Sequence, residues 1–216
     1  MKVVAFVPIR LNSKRVEHKN LKLLGGKPLL CYVLDTLTQV GGIDEVYAYC
    51  SSPLITPYCN GNVHFLQRPE RLDGDDVLGR DIYNEFIKTI DADIYVLAHT
   101  TSPFIKQATI ENALEQVTAG GYDSAFSVEK FQTFAWYKGA PLNYELKNIP
   151  RTQTIEPLYV ETSAFYIFRR EVWTQLGQRI GNKPYMAVVD HVEGIDIDWP
   201  EDFSFAEKIM IQAQSN

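Results

Sequence analysis

Runs of apolar residues alternate with amphipathic stretches along most of the chain. The first run, residues 3–7, is apolar at every position, which is typical of a strand covered on both faces in a parallel sheet. Similar runs, bounded by turn-forming residues, recur further along the chain. They predict four more strands, at residues 45–50, 63–66, 94–98 and 124–128.

Between these strands, apolar residues recur at the three- and four-residue spacing of a helix face. The three stripes of this kind are Leu30, Val33, Leu34 and Leu37; Ile82, Tyr83, Phe86, Ile87 and Ile90; and Ile110, Ala113, Leu114 and Val117. We expect Pro28 in the first turn of the first helix, Thr109 as the N-cap of the third, and Gly120 and Gly121 at its end. Strands that alternate with helices predict a mostly parallel, Rossmann-like α/β sheet with helices on both faces, which binds ligands beyond the carboxyl ends of its strands.

The alternation is interrupted at residues 131–159, where short aromatic pieces are separated by proline and glycine, before a strand resumes at residues 160–168. We interpret 131–159 as an arm inserted into a single domain that spans residues 1–216. Its aromatic side chains suit contact with a second subunit in a homodimer. Packing of the arm onto its own core is the alternative.

Composition narrows the class of protein. The chain has 216 residues, of which 45% are hydrophobic and 22% charged, as in an ordinary globular domain. Its net charge of −6 repels polyanions, so we expect neither nucleic acid nor membrane as a partner. No apolar stretch near the amino terminus approaches a membrane span or a cleaved leader, which predicts a cytoplasmic protein. Three cysteines without a close CxxC pair argue against a disulfide framework and a zinc knuckle.

A basic segment follows the first strand. Residues 10–27 contain a single acid, Glu17, and six cations, which are Arg10, Lys14, Arg15, Lys19, Lys22 and Lys27. Because the segment leaves the carboxyl end of a strand, these cations and nearby backbone N–H groups could converge on a polyphosphate. A solvated surface turn is the alternative. Neither a P-loop nor a dinucleotide-binding glycine motif follows the strand, so those two folds are not supported.

A pair of aspartates lies near the carboxyl terminus. Asp196 and Asp198 are two residues apart, and in an extended segment both side chains point to the same side. Two such charges about 4 Å apart repel each other by about 4 kcal/mol at an effective dielectric constant near 20, a cost that a divalent cation reverses. Oxygen ligands favour Mg²⁺, with Mn²⁺ as a second option. A helix cap before Pro200 is the alternative account of Asp198.

Residues 7–21, VPIRLNSKRVEHKNL, resemble the amino-terminal signature IPARxxSKxxPxKNL of the acylneuraminate cytidylyltransferase family, which is related to the Kdo cytidylyltransferases. The resemblance implies a nucleotidyltransferase sheet whose basic loop lines the phosphates of CTP. The nucleotide-binding residues that it assigns to this loop are Arg10, Asn12, Ser13, Lys14, Lys19 and Asn20. The chain departs from the signature at Ile9, Arg15 and Glu17.

Three further segments resemble family motifs in the same order. Residues 66–75 are similar to RPxxLxxD, which implies that Arg68 contacts the cytosine and that Asp75 belongs to the nucleotide site. Residues 98–104, AHTTSPF, are similar to LQPTSPLR, with His99 in place of glutamine on the sugar side. Residues 150–153 resemble a PRQ motif, in which Arg151 would approach the carboxylate of an acidic sugar.

Two more segments complete the resemblance. Residues 159–166 parallel the strand NGAIYI, with Thr162 and Ser163 in place of asparagine and glycine. Residues 194–202 are similar to DIDTPEDL, which implies that Asp196 and Asp198 hold the metal and that a helix from Pro200 ends the chain. The substrate-binding residues implied on the sugar side are His99, Thr101, Ser102, Arg151 and Thr162.

Taken together, these segments imply a Mg²⁺-dependent cytidylyltransferase that joins CMP from CTP to an acidic 2-keto-3-deoxy sugar and releases pyrophosphate. The catalytic residues implied are Arg10, Lys14, Lys19, Asp196 and Asp198; we assign no general base. Two alternatives are a GT-A glycosyltransferase, which also combines a nucleotide-binding sheet with a DxD motif, and a homologue that binds CTP or a CMP-sugar without catalysis.

Overall fold

The computed structural model describes residues 1–214, so the last two residues of the expected 1–216 domain lie outside it. Among the described residues, no helix combines the length and apolar character needed to cross a bilayer. The strands are β1 (Val3–Ile9), β2 (Leu23–Leu24), β3 (Lys27–Pro28), β4 (Glu45–Cys50), β5 (Val63–Gln67), β6 (Ile94–Ala98), β7 (Ser124–Phe131), β8 (Trp136–Tyr137), β9 (Ala140–Pro141), β10 (Leu158–Arg169) and β11 (Pro184–Val189). The α-helices are α1 (Leu29–Gln39), α2 (Gly79–Thr89), α3 (Gln107–Thr118), α4 (Arg170–Leu176) and α5 (Pro200–Gln214).

Seven of these strands form one sheet in the order β11-β7-β10-β6-β1-β4-β5. All of its pairs are parallel except those of β10, which runs antiparallel to β6 and β7. The mostly parallel α/β class is therefore confirmed. The predicted strands have the right positions, and several are longer than predicted. Strand β1, for example, runs to Ile9, because its ladder with β4 continues to the pair Ile9 and Cys50.

Helices cover both faces of the sheet, as predicted. On one face, the apolar stripes of α1 and α3 form a continuous core with the sheet. On the other face, α2 and α4 cover an aromatic core in which Phe86 stacks on Phe6 with ring centroids 4.2 Å apart. A smaller third cluster packs α5 against the segment that follows β1, through Phe203, Leu24 and Val16. This last contact brings the two ends of the chain together at the carboxyl edge of the sheet.

The predicted start of the third helix is wrong. Helix α3 begins at Gln107, with Lys106 at its N-cap, two residues before Thr109. The backbone N–H of Lys106 donates to Glu193 and its ammonium contacts Asp190, so tertiary contacts fix this helix start. Pro28 lies one residue before α1 rather than in its first turn. The predicted end is confirmed, because α3 stops shortly before Gly121, whose φ is +77°.

The inserted arm is shorter than predicted at both ends. Strand β7 continues through Phe131 and β10 begins at Leu158, so the segment outside the main sheet is residues 132–157. It contains the small hairpin of β8 and β9. Trp136 and Tyr137 on this hairpin are more than half exposed. Their rings are therefore available for contact with another surface.

An irregularity in β10 shapes the edge of the sheet near the site. The register between β10 and β7 shifts between Glu161 and Tyr166. Within this bulge, Ser163 adopts a left-handed conformation with φ +60°, which is unusual for a residue with a side chain. The buried Ser127 hydroxyl oxygen accepts from the Ala164 N–H at 3.1 Å and from the Thr162 hydroxyl at 2.8 Å. One serine therefore satisfies polar groups that the irregular strand leaves unpaired.

We predict that Ser127→Ala lowers the free energy of unfolding by about 2–3 kcal/mol, because it leaves buried donors without an acceptor. Urea unfolding measures this change. The matched control is Ser204→Ala on α5, whose exposed hydroxyl bonds only to the Pro200 carbonyl and whose loss should cost less than about 0.5 kcal/mol. Equal losses in the two variants would show that Ser127 does not support the bulge.

Candidate functional site

A polar cavity of about 360 Å³ lies where the carboxyl ends of β1 and β6 meet the basic loop. Ligands of parallel α/β sheets bind at this edge, so the position agrees with the fold. The residues that line it are Pro8, Arg10, Asn12, Ser13, Lys14, Arg15, Lys19, Asn20, Asp75, His99, Thr100, Thr101 and Asp198. Most of the residues that the sequence assigned to a nucleotide site therefore meet in one place.

The basic loop and the paired aspartates are joined by Lys19. This lysine is only 9% exposed, and its ammonium lies 2.7 Å from the Ile197 carbonyl oxygen and 3.2 Å from Asp198 Oδ1. Arg15 reaches the other carboxylate oxygen of Asp198 at 2.6 Å and lies over the Trp199 ring. The predicted convergence of amino-terminal cations with carboxyl-terminal aspartates is thus present in the folded chain.

The two aspartates have different environments. Burial favours the protonated form of Asp198, but the hydrogen bonds and charges of Lys19 and Arg15 outweigh it, so its pKa lies below the ordinary value. Burial raises the pKa of Asp196; a hydrogen bond from Thr101 opposes this change, and the nearby charge of Asp198 adds to it. The pair therefore combines one carboxylate stabilised as an anion with one whose ionised form is disfavoured by burial and by the charge of its neighbour.

The chemistry of this pair fits a divalent cation. Asp196 Oδ1 is buried and has no hydrogen-bond partner, so a cation would satisfy an oxygen that the described protein atoms do not. Among residues 1–214, no group of three or more His, Cys, Asp or Glu side chains could hold a metal ion. A cation bound by Asp196 and Asp198 would therefore take its remaining ligands from a substrate and from water, as Mg²⁺ commonly does at phosphate sites.

Asn20 fixes the basic loop to the sheet. Its side-chain amide donates to the Arg10 carbonyl at 2.6 Å, and its carbonyl accepts from the Thr100 hydroxyl at the same distance. Asn20 is buried, and it connects the ends of β1 and β6. Both polar atoms face protein groups, so this side chain positions the loop even though the residue lines the cavity.

Arg10 and Lys14 extend from the loop toward residues 73–75. Arg10 donates to the Gly74 carbonyl at 3.1 Å, and Lys14 lies 2.5 Å from Asp75. A neighbouring cavity of about 670 Å³ shares Arg10 and Asn12 with the first. Its other walls are Leu11, His18, Leu21, Ser51, Ser52, Pro53, Leu54, Gln67, Glu70 and Asp73. Two chambers thus share Arg10 as a wall residue. The first also has Lys14, Arg15 and Lys19 in its walls, whereas the other walls of the second are mainly neutral and acidic.

The expected contact of Arg68 with a nucleotide base is not supported by its position. Arg68 is 1% exposed, its guanidinium donates to Asp73 at 2.7 Å, and it lies near the Tyr49 ring. A side chain enclosed in this way cannot reach a ligand without a rearrangement. Arg68 instead orients Asp73, whose carboxylate is on the wall of the second chamber.

Three sugar-side residues also lie elsewhere than expected. Thr162 is buried, and its hydroxyl donates to Ser127 inside the bulge of β10. Ser102 is fully buried, and its hydroxyl oxygen has no hydrogen-bond partner among the described residues. Arg151 is exposed in the arm and is not among the residues that line the cavity. Burial thus prevents direct contact for Thr162 and Ser102, and Arg151 would need the arm to bring it to a ligand.

His99 and Thr101 do lie at the cavity. The Thr101 carbonyl accepts from the Ile197 N–H at 2.8 Å, which pins the aspartate segment to the end of β6. His99 Nδ1 lies 2.6 Å from the Ser163 carbonyl oxygen and can only act as a donor there. Burial lowers the pKa of His99; the hydrogen bond to Ser163 opposes this, and the charge of Arg179 adds to it. Burial and the charge of Arg179 thus both disfavour the protonated imidazole.

Sequence reasoning missed several site residues. Arg15 was expected among the loop cations and as a departure from the motif, but its ion pair with Asp198 was not foreseen. Thr100 was not singled out, although its hydroxyl donates a hydrogen bond to the Asn20 side-chain carbonyl. Arg179 contacts the Tyr83 hydroxyl, which lies beside His99, and it belongs to a loop without a recognisable motif. The charge of Arg15 within the basic loop was the one available signal; nothing in the linear sequence pairs Thr100 or Arg179 with this site.

A family comparison covers nearly the whole chain. The family model described as cytidylyltransferase matches residues 4–216. The chain belongs to the cytidylyltransferase family. The family resemblance found in the sequence motifs is thereby confirmed, and the chain also matches curated relatives of the acylneuraminate type.

The share of a relative's length that matches this chain differs from one relative to another. An N-acylneuraminate cytidylyltransferase of Oncorhynchus mykiss is 28% identical over 92% of this chain and 49% of the relative. A CMP-N,N'-diacetyllegionaminic acid synthase of Legionella pneumophila is 26% identical over 97% of both chains. The chain thus spans about half the length of several curated relatives and nearly all of the Legionella protein.

Solved structures agree on the fold. CMP:2-keto-3-deoxy-manno-octonic acid synthetase complexed with CTP superposes with a TM-score of 0.72 at 19% identity, over 99% of this chain and all of that one. A 4-diphosphocytidyl-2C-methyl-D-erythritol synthase from Anaerococcus prevotii gives a TM-score of 0.71 at 13% identity, over 97% of this chain and 96% of that one. The chain therefore shares the overall fold of these two proteins.

We predict that Asn20→Ala lowers the free energy of unfolding by about 2–3 kcal/mol and speeds amide exchange in residues 10–21, because the Arg10 carbonyl and the Thr100 hydroxyl lose their partner. Chemical unfolding and hydrogen exchange followed by mass spectrometry measure the two effects. The control is Asn112→Ala, which removes only an exposed bond to Tyr185. Unchanged exchange in residues 10–21 would contradict the positioning role.

Proposed function

We propose that the chain transfers CMP from CTP to the anomeric hydroxyl of an acidic 2-keto-3-deoxy sugar and releases pyrophosphate. The observation that carries the proposal is the meeting of Lys19 and Arg15 with Asp198 in one cavity of a cytidylyltransferase-family chain. A site that combines several cations with a carboxylate pair suits a metal-bound triphosphate. The second chamber has none of Lys19, Arg15 and Asp198 in its walls.

The phosphates would lie against the cation-lined chamber. Arg10, Lys14 and Arg15 reach it from the loop, and each can donate to phosphate oxygens. The present partners of Lys14 and Arg15 are half-exposed or exposed carboxylates, Asp75 and Asp198. Exposed ion pairs are weak, so an incoming triphosphate can take over these cations at little cost.

The nucleoside would extend into the second chamber beyond Arg10. This chamber offers Ser51, Gln67 and Asp73 as hydrogen-bonding groups and lacks the loop lysines. Neutral donors and acceptors suit a base and a ribose better than they suit phosphate. Cytosine recognition is therefore assigned to the walls around Asp73, with buried Arg68 behind them as a positioning residue.

Asp196 and Asp198 would hold Mg²⁺, for the reasons of charge and orphaned oxygen given above. When bound, the ion neutralises charge that develops on the phosphate oxygens. The protein groups Arg10, Lys14 and Lys19 act in the same direction as fixed positive charges. In the reaction the anomeric oxygen forms a bond to the α-phosphorus, the bond from that phosphorus to the pyrophosphate oxygen breaks, and the hydroxyl proton passes to solvent.

The acceptor is proposed to be an acidic sugar because of the relatives that the chain resembles. Their names include N-acylneuraminate cytidylyltransferase, 3-deoxy-manno-octulosonate cytidylyltransferase and CMP-N,N'-diacetyllegionaminic acid synthase. These names share a keto-acid sugar and differ in its length and substituents. A GT-A glycosyltransferase, the other enzyme considered from the sequence, finds no support in these relatives.

Pyrophosphate release in the presence of CTP and Mg²⁺, measured against a panel of acidic sugars, tests the proposal. We expect turnover with CTP and at least one acid, little with ATP, GTP or UTP, and none after chelation of the metal. Asp198→Asn should lower kcat/KM by at least about 100-fold, since it removes a charge from the reacting centre.

The matched control for this experiment is Asp35→Asn on α1, whose carboxylate pairs with Lys27 on the surface and should leave turnover unchanged. Equal rates with all four nucleotides would contradict the cytosine assignment. Full activity of Asp198→Asn would remove the aspartate pair from the mechanism. CTP binding without turnover across the whole panel would favour the non-catalytic homologue.

We further propose that the arm joins two copies of the chain. Support comes from its exposed apolar side chains, which are Trp136, Tyr137, Leu142, Leu146 and Ile149, and from the outward-facing Met186 and Val188 on the edge strand β11. Apolar groups concentrated in this way are costly to leave in water and typically mark a contact with protein. A second copy presents the same groups, so a two-fold pairing would bury both sets.

Sedimentation velocity tests this assembly. The wild-type chain should sediment as a dimer at micromolar concentration, and the double variant Trp136→Glu with Leu146→Glu should sediment as a monomer, because two charges would have to be buried in the interface. Phe205→Glu, at an equally exposed aromatic residue on α5, is the control and should remain dimeric. A monomeric wild-type chain would rule the arrangement out.

A further inference from the structure

Asp198 is held on both of its carboxylate oxygens by cations of the basic loop. The Lys19 ammonium lies 3.2 Å from Oδ1, and the Arg15 guanidinium donates to Oδ2 at 2.6 Å. Asp196, by contrast, keeps a buried Oδ1 that has no hydrogen-bond partner among the described residues. The two aspartates proposed to hold Mg²⁺ therefore differ: one offers an unused oxygen, and the other is already paired with protein cations.

Arg15 opposes the binding of a divalent cation to Asp198. A carboxylate oxygen can accept more than one bond, so contact geometry alone does not exclude a metal ion from Oδ2. A metal ion bound there would nevertheless lie close to the guanidinium, and charges of the same sign repel strongly at short range. A cation can use Asp198 fully only after Arg15 has moved away.

Of the two cations on Asp198, Arg15 is the one that can leave. Lys19 is buried and also donates to the Ile197 carbonyl at 2.7 Å, so its departure would strand a charge. The Arg15 side chain is 50% exposed, and ion pairs between exposed groups are weak. Arg15 also lines the first chamber, so it can turn to a ligand there while Asn20 keeps the loop attached.

Trp199 fixes where Arg15 rests. The guanidinium carbon lies 4.9 Å from the centre of the Trp199 ring, an arrangement in which the ring face attracts the cation. Asp202 accepts from the backbone N–H groups of Asp198 and Trp199 at 3.0 and 2.8 Å, so both contacts of Arg15 come from one hydrogen-bonded turn at the start of α5. Arg15 therefore has a defined resting position on the aspartate segment.

We propose, on the basis of the proposed function, that Arg15 couples the binding of the nucleotide to the binding of the metal ion. Paired with Asp198, Arg15 weakens the affinity of the aspartates for a divalent cation. Drawn onto the phosphates of a nucleoside triphosphate, it frees Asp198 as further negative charge arrives beside it. Coupling of this kind is reciprocal, so the cation strengthens nucleotide binding by the same factor.

Binding of Mn²⁺ alone, with neither nucleotide nor sugar present, tests the first half of this proposal. Electron paramagnetic resonance measures the free ion and gives its dissociation constant. Arg15→Ala should lower that constant by about fivefold, the most that an exposed ion pair is worth. The same variant carrying Asp198→Asn should lose the gain, because the added binding takes place at the aspartate pair. An unchanged dissociation constant in Arg15→Ala would overturn the proposal.

Two further variants distinguish the Arg15 contact from the overall charge of the loop. Arg15→Lys keeps a cation beside Asp198 and should bind Mn²⁺ like the wild-type chain. Lys14→Ala removes the same charge from the same loop, but Lys14 pairs with Asp75, so the dissociation constant should fall by less than about twofold. Equal gains in Arg15→Ala and Lys14→Ala would contradict the proposal, since a general effect of loop charge would then explain both.

Binding of CTP in the presence of EDTA tests the second half. Asp198→Asn should tighten this binding, because it releases Arg15 to the phosphates and removes a repelling charge. In an Arg15→Ala background only the second effect remains, so the tightening should be about fivefold smaller. Isothermal titration calorimetry of the four chains completes this double-mutant cycle. Equal tightening in the two backgrounds, or no CTP binding by any of the four chains, would rule out the transfer of Arg15 to phosphate.

The outcomes keep this inference separate from the proposed function. The manganese experiment uses no substrate, so absence of turnover with CTP and every acid of the panel would defeat the proposed function and leave the manganese result standing. Pyrophosphate release by a chain whose Mn²⁺ affinity does not respond to Arg15→Ala would defeat the inference alone. Because Arg15 is half exposed, Arg15→Ala should melt close to the wild-type temperature, and thermal melting of each variant verifies its fold.

Discussion

The contact of Lys19 with the Ile197 carbonyl and Asp198 is the interaction on which the site depends. Lys19 precedes Ile197 by 178 positions in the sequence and Asp198 by 179, and it reaches both from a buried position. A buried cation is stable only when it is paired and hydrogen bonded, so the basic loop and the aspartate segment require each other. Thr101 and the packing of Phe203 on α5 hold the aspartate segment in register for that contact.

Two other loop cations make weaker ion pairs than Lys19, and we therefore assign them a different role. Lys14 and Arg15 pair with Asp75 and Asp198 at positions that remain substantially exposed. Such pairs hold the loop open in a defined shape and exchange partners readily, because water screens them. Lys19 cannot leave in this way without stranding its charge. A polyanion can therefore take over the outer cations while the inner one keeps the loop attached.

Much of the fold could be predicted from the sequence, because its signals are local. Continuous apolar runs identified the central strands, and stripes such as Ile110 to Val117 identified helices and the faces they bury. Helix starts were less predictable. Helix α3 begins at Gln107 because the Glu193 carboxylate accepts a hydrogen bond from the Lys106 N–H. Contacts of that kind join distant parts of the chain, and no periodicity in the sequence reports them.

Site residues could be predicted where charge and motif agreed. They could not be predicted where burial determines whether a side chain reaches the cavity. Arg10, Lys14 and Asp198 line the cavity as their residue types suggested. Arg68 matches a motif equally well, yet the fold encloses it against Asp73.

Arg179 is the opposite case, since it belongs to no motif and gains its place through stacking on Tyr166 and contact with the Tyr83 hydroxyl. In the proposed function, the loop residues answer to a charge that every nucleoside triphosphate shares, and such a constraint leaves a recognisable pattern in the sequence. Residues that bind the proposed acceptor would instead be constrained by the shape and polarity of one substrate, which different side chains can satisfy in different ways. Specificity in this fold therefore has to be argued from tertiary contacts, residue by residue.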